Sequence, residues 1–385
     1  MRRLRVLVFA AVGGALTGCI SYAFLEALDR ATRTRVDLRW PVFLLPVAGF
    51  VVAGVYHRFG GRAKGGTPAV IEQANTFTHG VPARMAPLIF GGAIAGHVVG
   101  AAVGREGAAL QMAGSVTDTA ARAARLTHDE RRTLIAASLA GGWGAVFGVP
   151  VTGVVFTLQV TERHRWRAFL PAIVAATTGR LVVDAFGYRF GARPRIDAPA
   201  WTIGLPLKLV VAGVVMGLLG RLFVAVLKGI RHHTARHVHW PPLRAALGGV
   251  ATLGLMAVVG REYLGLSMPL LERGFDGAHV DLWVPILKLT FTAIALGTGF
   301  VGGEVAPLFV MGSTMGAALA PGLHAPAPLL ATTGSAAAFA SAASVMLTGI
   351  VLTVEQFGPH ALVPAVIVGV SARIAAGRPG LYVAH

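Results

Sequence analysis

Two short blocks of this sequence set a carboxylate among glycines at the head of an apolar run. They are Gly104-Arg105-Glu106-Gly107-Ala108-Ala109-Leu110 and Gly302-Gly303-Glu304-Val305-Ala306-Pro307-Leu308. A Gly-rich turn that opens a helix leaves backbone N–H groups without intrahelical partners, at the positive end of the helix dipole. Such a turn holds an anion without a buried lysine. Lys64-Gly65-Gly66-Thr67-Pro68 is a third turn of this kind. Convergence of the three at one point would build a dehydrated anion cradle.

The carboxylates carry the second half of the chemistry. An ionisable group in an apolar span is costly and commonly marks an ion or proton pathway. Glu106, ionised, can occupy the place of an anion; protonated, it can leave that place and donate a hydrogen bond to the anion that arrives. One side chain thereby couples proton and anion movement, with Glu304 as its counterpart. The competing reading of Glu106 is an ion pair with Arg105, disfavoured because adjacent helical positions do not face each other. For Glu304 it is a charge placed at a helix start to suit the dipole.

Other candidates carry less. His233 and His237, four apart in Arg231–His239, could bind a metal, but they fall in a basic loop without nearby carboxylates, and a headgroup-facing loop is the simpler reading. His97 reads as a satisfied interior histidine before it reads as a proton relay. Glu355 reads as a structural charge at a helix interface. No nucleophile elbow, Walker loop, zincin motif or carboxylate–histidine cluster is present, so neither an enzyme nor a cofactor is expected.

The elements that must position these residues belong in a bilayer. Of 385 residues, 55% are hydrophobic and 13% charged, against about 25% charged in soluble domains. Apolar segments fall near 4–28, 41–56, 86–103, 132–160, 166–188, 203–227, 243–260, 284–301, 305–320, 328–354 and 361–376. Several are shorter than the ~20 residues of a full span or are broken by Gly and Pro. Helices that stop inside the membrane are tolerated only where they line a cavity or are buried in protein. The net charge of +17 gathers in short segments: His57 to Lys64, Glu162 to Arg167, Arg189 to Arg195 and Lys228 to Arg244. Anchoring to anionic headgroups accounts for them better than nucleic-acid binding does. The single cysteine, Cys19, excludes an internal disulfide. It follows Leu16-Thr17-Gly18 as in a lipoprotein cleavage site, yet the apolar run continues past it to Leu28, so a retained first helix is expected.

An internal repeat organises the chain. The second Gly/Glu block, with Gly312-Ser313, lies 198 residues after the first, with Gly114-Ser115. Val151–Gln159 resembles Leu347–Glu355 at an offset of 196. Duplicated halves of about 1–190 and 200–385 follow. Inversion is the commoner arrangement for a transporter with a midplane site.

These residues resemble the CLC family of chloride channels and anion/proton antiporters over essentially the whole chain. Gly104–Gly107 is similar to its gating-glutamate motif, and Gly302–Leu308 to its second anion-binding helix start. Phe147-Gly148-Val149-Pro150 through Gly153 resembles its mid-chain re-entry point. Arg378-Pro379-Gly380-Leu381-Tyr382 resembles its terminal segment, which gives a tyrosine hydroxyl to the central anion. The resemblance implies an all-α polytopic fold of two inverted halves with broken, re-entrant helices and no cytoplasmic regulatory domain. It also implies a homodimer with a pore in each subunit, and Glu106 as gate.

Departures narrow the branch. Gly65 stands where chloride-selective members carry serine, Ala108 where proline is usual, and Val305 where phenylalanine is usual. The internal proton-transfer glutamate would fall at Val160, beside Gln159. Val81–Leu88, Gly104–Met112 with Gln111-Met112, and Gly302–Phe309 are instead similar to the bacterial fluoride-exporting branch. There a glutamate at the place of Glu304 belongs to the ion pathway, although a bulkier side chain than Gly65 is usual near the first loop. Fluoride is small and strongly hydrated, and carboxylic acids and backbone N–H groups are donors strong enough to replace its water.

The expectation is therefore a multi-pass protein of the bacterial inner membrane exporting fluoride against protons. Glu106 is gate and proton carrier, with Gly65, Gly66, Gly104, Arg105, Gly107, Glu304, Val305 and Tyr382 at the anion site. The alternatives are a chloride-selective CLC channel or chloride/proton exchanger and, remotely, a membrane metal-dependent enzyme.

Overall fold

A computed structural model of the chain describes residues 2–161, 165–191 and 194–382. Among them are sixteen α-helices and no strand. The first eight are α1 Arg2–Leu38, α2 Leu45–Phe59, α3 Gly66–Asn75, α4 Met85–Val99, α5 Glu106–Ala123, α6 His128–Phe147, α7 Pro150–Val160 and α8 Arg165–Ala185. The second eight are α9 Leu205–His237, α10 Pro241–Val259, α11 Met268–Phe275, α12 Trp283–Thr298, α13 Val305–Leu323, α14 Ala327–Ala343, α15 Met346–Phe357 and α16 Leu362–Ala376. Seven helical stretches are long and apolar enough to cross a bilayer, from Arg3–Leu38 to Pro359–Ala376. The shorter apolar helices are Met85–Val99, Pro150–Val160, Trp283–Thr298 and Met346–Phe357, two pairs related by the repeat.

Local chemistry sets the boundaries. The Thr127 hydroxyl accepts from the Glu130 N–H while the Glu130 carboxylate accepts from the Thr127 N–H, a capping box that starts α6. Gly100 (φ 88°) and Gly299 (φ 116°) end α4 and α12 in left-handed conformations, where a residue without Cβ costs least. Gly148 and Pro150 split the apolar stretch 132–160 into α6 and α7, and Ser344, also at positive φ, splits 328–354 into α14 and α15. Both stretches were expected as single segments; apolar composition alone does not register a left-handed residue inside the run.

Helix α5 lay outside the expected apolar segments because Gln111, Ser115, Thr117 and Asp118 lower its hydropathy. All four are buried. Asp118 accepts from Arg131 Nε (2.8 Å) and from the Val81 N–H (2.8 Å), so its charge is matched inside the protein. The core gathers around α5, α6, α13 and α14, which have long fully buried faces. Leu, Val and Phe side chains on α1, α2, α9 and α10 point outward, where lipid is the solvent. Cys19 lies on that outward face of an unbroken α1.

The halves are related by inversion. Gln159 at the end of α7 accepts from the N–H and hydroxyl of Thr348 at the start of α15, both at 2.7 Å. Glu355 at the end of α15 accepts from the Val151 N–H (3.0 Å), the Thr152 N–H (2.7 Å) and the Thr152 hydroxyl (2.6 Å) at the start of α7. The two helices run antiparallel and cap each other through equivalent residues, as a two-fold axis in the membrane plane requires. Gly104 and Gly303 form an antiparallel bridge where the two repeat blocks meet.

Candidate functional site

The two Gly/Glu blocks meet head to head. The Gly303 N–H donates to the Gly104 carbonyl (2.7 Å), and the Gly104 N–H donates to the Gly303 carbonyl in return. Contact this close needs glycine: a Cβ on Gly303 would lie 2.5 Å from the Gly107 nitrogen, and one on Gly107 2.9 Å from the Gly303 Cα. The third turn joins them through Thr67, whose hydroxyl donates to the Gly107 carbonyl (3.3 Å). The starts of α3, α5 and α13 therefore converge, with the positive ends of three dipoles at one place.

Glu106 is 2% exposed, and its carboxylate crosses to the opposite half. Oε2 accepts from the Ala306 N–H at the head of α13 (3.0 Å). The side chain thus sits in the seat a bound anion would take at that helix start. Arg105 Nε approaches Oε1 at 3.6 Å, a correction to the expectation that the neighbours do not face each other. Arg105 precedes the helix as its N-cap residue, with φ −97°, so helical spacing does not separate the two side chains. The Tyr188 hydroxyl, beside Arg105, donates to Asp29 (3.2 Å). None of these three residues lines the large cavity on the other side of the cradle.

That cavity, of about 450 Å³, is lined by Gly65, Gly66, Thr67, Gln111, Gly302, Glu304 and Tyr382. Glu304 is the N-cap residue of α13 but makes no side-chain cap, and it lies half-buried in the cavity wall facing Tyr382. Tyr382 is 8% exposed, and its buried hydroxyl faces the Glu304 carboxylate without closing a strict hydrogen bond among the described residues. A phenol O–H in the wall of a polar cavity can donate to an anion that enters it. Val305 opens α13, so its N–H is among the unpaired donors of that helix start.

Two expected backbone donors are committed elsewhere. The Gly66 N–H donates to the Ala63 carbonyl, and the Gly104 N–H is held by Gly303. Gly66 (φ 60°) instead turns the chain into α3, and Gly104 permits the close approach.

The outer wall carries His57, Lys64, Lys228, Arg231 and Arg244, and Glu304 is its one acidic residue among the described residues. Lys64 donates to the His57 carbonyl (3.1 Å), Lys228 to the Pro379 carbonyl (3.4 Å) and Arg244 to the Thr298 carbonyl (3.3 Å). Carbonyls fix these side chains without cancelling their charge, so the vestibule concentrates anions. Two basic segments distant in sequence converge here, beyond the headgroup role expected of them. Of the other two, residues 162–164 and 192–193 lie outside the described residues.

The remaining candidates fall away from the cradle. Arg231–His237 is not a loop but the end of α9, because its helical pattern continues through the basic run. His237 Nδ1 lies 2.9 Å from the His233 carbonyl, and no metal-competent cluster occurs among the described residues. His97 Nδ1 is 2.7 Å from the Ala93 carbonyl of its own helix. Gln159 is committed to Thr348, and the Val160 carbonyl accepts from Asn75 (2.8 Å).

Helix starts meeting across an inverted repeat, with a carboxylate seated between them, define a membrane protein of the ion-transport class. The sequence profile of the voltage-gated chloride channel family matches residues 48–377, and the chain belongs to that family. It is 36% identical to the chloride/fluoride channel protein of Pseudomonas syringae pv. tomato over 98% of this chain and 85% of that protein. It is 27% identical to the H(+)/Cl(-) exchange transporter ClcA of Salmonella paratyphi B, over 95% of this chain and 84% of that one. The crystal structure of a CLC-type fluoride/proton antiporter superposes with a TM-score of 0.91 at 26% identity, covering 97% of both chains. The CLC fold and the multi-pass membrane location expected from the sequence are those of this family.

Proposed function

We propose that this protein exports fluoride across the inner membrane in exchange for protons, with Glu106 as combined gate and proton carrier. The observation that carries the reading is the Glu106 carboxylate on the Ala306 N–H, 200 residues away at the head of the opposite helix. Ionised, Glu106 closes the seat. Protonated, it loses its claim on that N–H, swings out and leaves the seat to the anion. Glu304, Val305 and Tyr382 line the inner face of the seat, with Gly65, Gly66 and Gly107 shaping its approach and Arg105 flanking the gate. The fluoride/proton antiporter and the chloride/fluoride channel among the similar proteins support fluoride as the ion. The same reading takes the protein as a homodimer with one such pathway per subunit, built from repeats of about 1–190 and 200–385.

A second reading, a passive CLC channel, is favoured by one observation. Gln159 is spent on capping α15, and Val160 offers only a carbonyl already bonded to Asn75, so no titratable group stands there. Proton exchange then relies on carboxylates elsewhere, with Glu106 and Glu304 at the seat itself. Efflux of fluoride and chloride from liposomes, with external pH recorded, decides between them. Fluoride efflux with stoichiometric proton uptake is expected. Chloride efflux at equal or greater rate without proton movement would establish the channel.

A further inference from the structure

We propose that Tyr56 and Gln111 are the side-chain donors that strip water from the anion as it passes from the basic vestibule to the Glu106 seat. The proposal rests on the anion-transport reading above and adds two residues to its pathway.

Both residues line the cavity that also holds Gly66, Gly302, Glu304 and Tyr382. The Tyr56 ring lies against α4 beside Val301: a Cβ on Gly92 would be 3.4 Å from Tyr56 Cε2 and 3.6 Å from the Val301 Cβ. Its hydroxyl is buried and has no hydrogen-bond partner among the described residues. Gln111 stands on the inner face of α5, five residues after Glu106, and is 5% exposed. Its amide makes no hydrogen bond among the described residues and lies over Gly66, with Nε2 3.7 Å from where a Cβ would be.

An unpaired polar group in a protein interior is costly; the unpaired Tyr56 hydroxyl and the Gln111 amide belong to residues lining one cavity, where an entering anion is a partner for both. A phenol offers one O–H donor and a carboxamide two N–H donors. Two donors of the first loop are occupied: the Thr67 hydroxyl donates to the Gly107 carbonyl and the Gly66 N–H to the Ala63 carbonyl. Gly65 and Gly66 of the first loop bring no side chain to the cavity, and the Thr67 hydroxyl beside them is already bonded to Gly107. Tyr56 and Gln111 supply from the neighbouring helices what that loop lacks, and the bare Gly66 leaves room for them. A small, strongly hydrated halide gains most from such donors, because hydrogen bonds to a charged group are the stronger kind.

The test is purified protein in liposomes, with Tyr56→Phe, Gln111→Leu and Gln111→Asn compared with the unaltered chain. Initial efflux rates are taken over a range of fluoride and of chloride concentrations. Loss of one hydrogen bond to a charged ion predicts an increase of about tenfold or more in the fluoride KM for Tyr56→Phe and for Gln111→Leu. The chloride KM should rise less, so the preference for fluoride falls. Maximal rate and thermal unfolding midpoint should stay near those of the unaltered protein. Gln111→Asn, which keeps a donor on a shorter arm, should recover part of the loss.

Unchanged KM and unchanged fluoride-to-chloride preference in Tyr56→Phe and Gln111→Leu would overturn the proposal, and so would a fall in maximal rate and unfolding midpoint at constant KM. Should the unaltered protein carry chloride alone, the fluoride reading fails by itself. The donor proposal is then decided by whether the same variants raise the chloride KM.

Discussion

Replacing Glu106 by Gln tests the central mechanism with one atom exchanged. The carboxylate accepts the Ala306 N–H at 3.0 Å inside the protein. A hydrogen bond to a charged acceptor contributes about 1.5–3 kcal/mol, and one between neutral groups about 0.5–1.5 kcal/mol. The amide therefore holds the seat about 1 kcal/mol less firmly, and an anion competing for it should bind roughly five- to tenfold more tightly. The amide also has no proton to release, so coupling should vanish while anion movement persists. Fluoride efflux from liposomes with simultaneous pH recording reads the coupling. Titration calorimetry on detergent-solubilised protein reads the affinity. Proton uptake at the unaltered ratio in Glu106→Gln would refute the assignment of gate and carrier to this side chain.

Three further outcomes follow from the geometry. Gly303→Ala places a methyl 2.5 Å from the Gly107 nitrogen; as backbone cannot give way cheaply, overpacking should cost about 1–3 kcal/mol. A lowered unfolding midpoint together with lost transport would show it. Arg231→Gln removes one vestibule charge and should slow anion entry at low ionic strength, with the difference disappearing near 1 M salt as the Debye length shrinks to about 3 Å; a salt-independent defect would contradict the role of the wall. Glu304→Gln should impair fluoride transport more than Glu355→Gln, which should instead lower the unfolding midpoint, because Glu355 caps α7 with both oxygens. Equal transport defects in the two variants would make Glu304 structural.

The repeat and its two Gly/Glu blocks were legible in the sequence because both lie at helix starts, where glycine and a carboxylate break an apolar run. The convergence of the blocks followed from that chemistry. Helix α5 was not legible by hydropathy, since Asp118 reads as a surface charge until Arg131 and the Val81 N–H are brought to it. Nor was the vestibule, because His57 and Lys64 meet Lys228, Arg231 and Arg244 only after folding. Tyr56 looks like an ordinary interfacial aromatic near the end of an apolar stretch. Its unpaired hydroxyl is a property of what surrounds it, and no spacing announces that. Gly104 and Gly66 were legible as glycines of a tight turn, but whether their N–H groups stay free depends on Gly303 and Ala63, which only the folded chain shows.

The paired bonds between Gly104 and Gly303 also constrain how the protein can work. Carriers built from inverted repeats commonly alternate by rocking one half against the other around a fixed substrate. Here the fulcrum of such a see-saw would be the site itself, and it is pinned there by two backbone hydrogen bonds, with the mutual caps of α7 and α15 as a second pin. Rigid-body rocking would shear both. Under the proposed exchange, the moving part is the Glu106 carboxylate on its short arm. The motor of the cycle is then a side-chain rotation, and turnover should survive cross-links between the halves that would stall a rocking carrier.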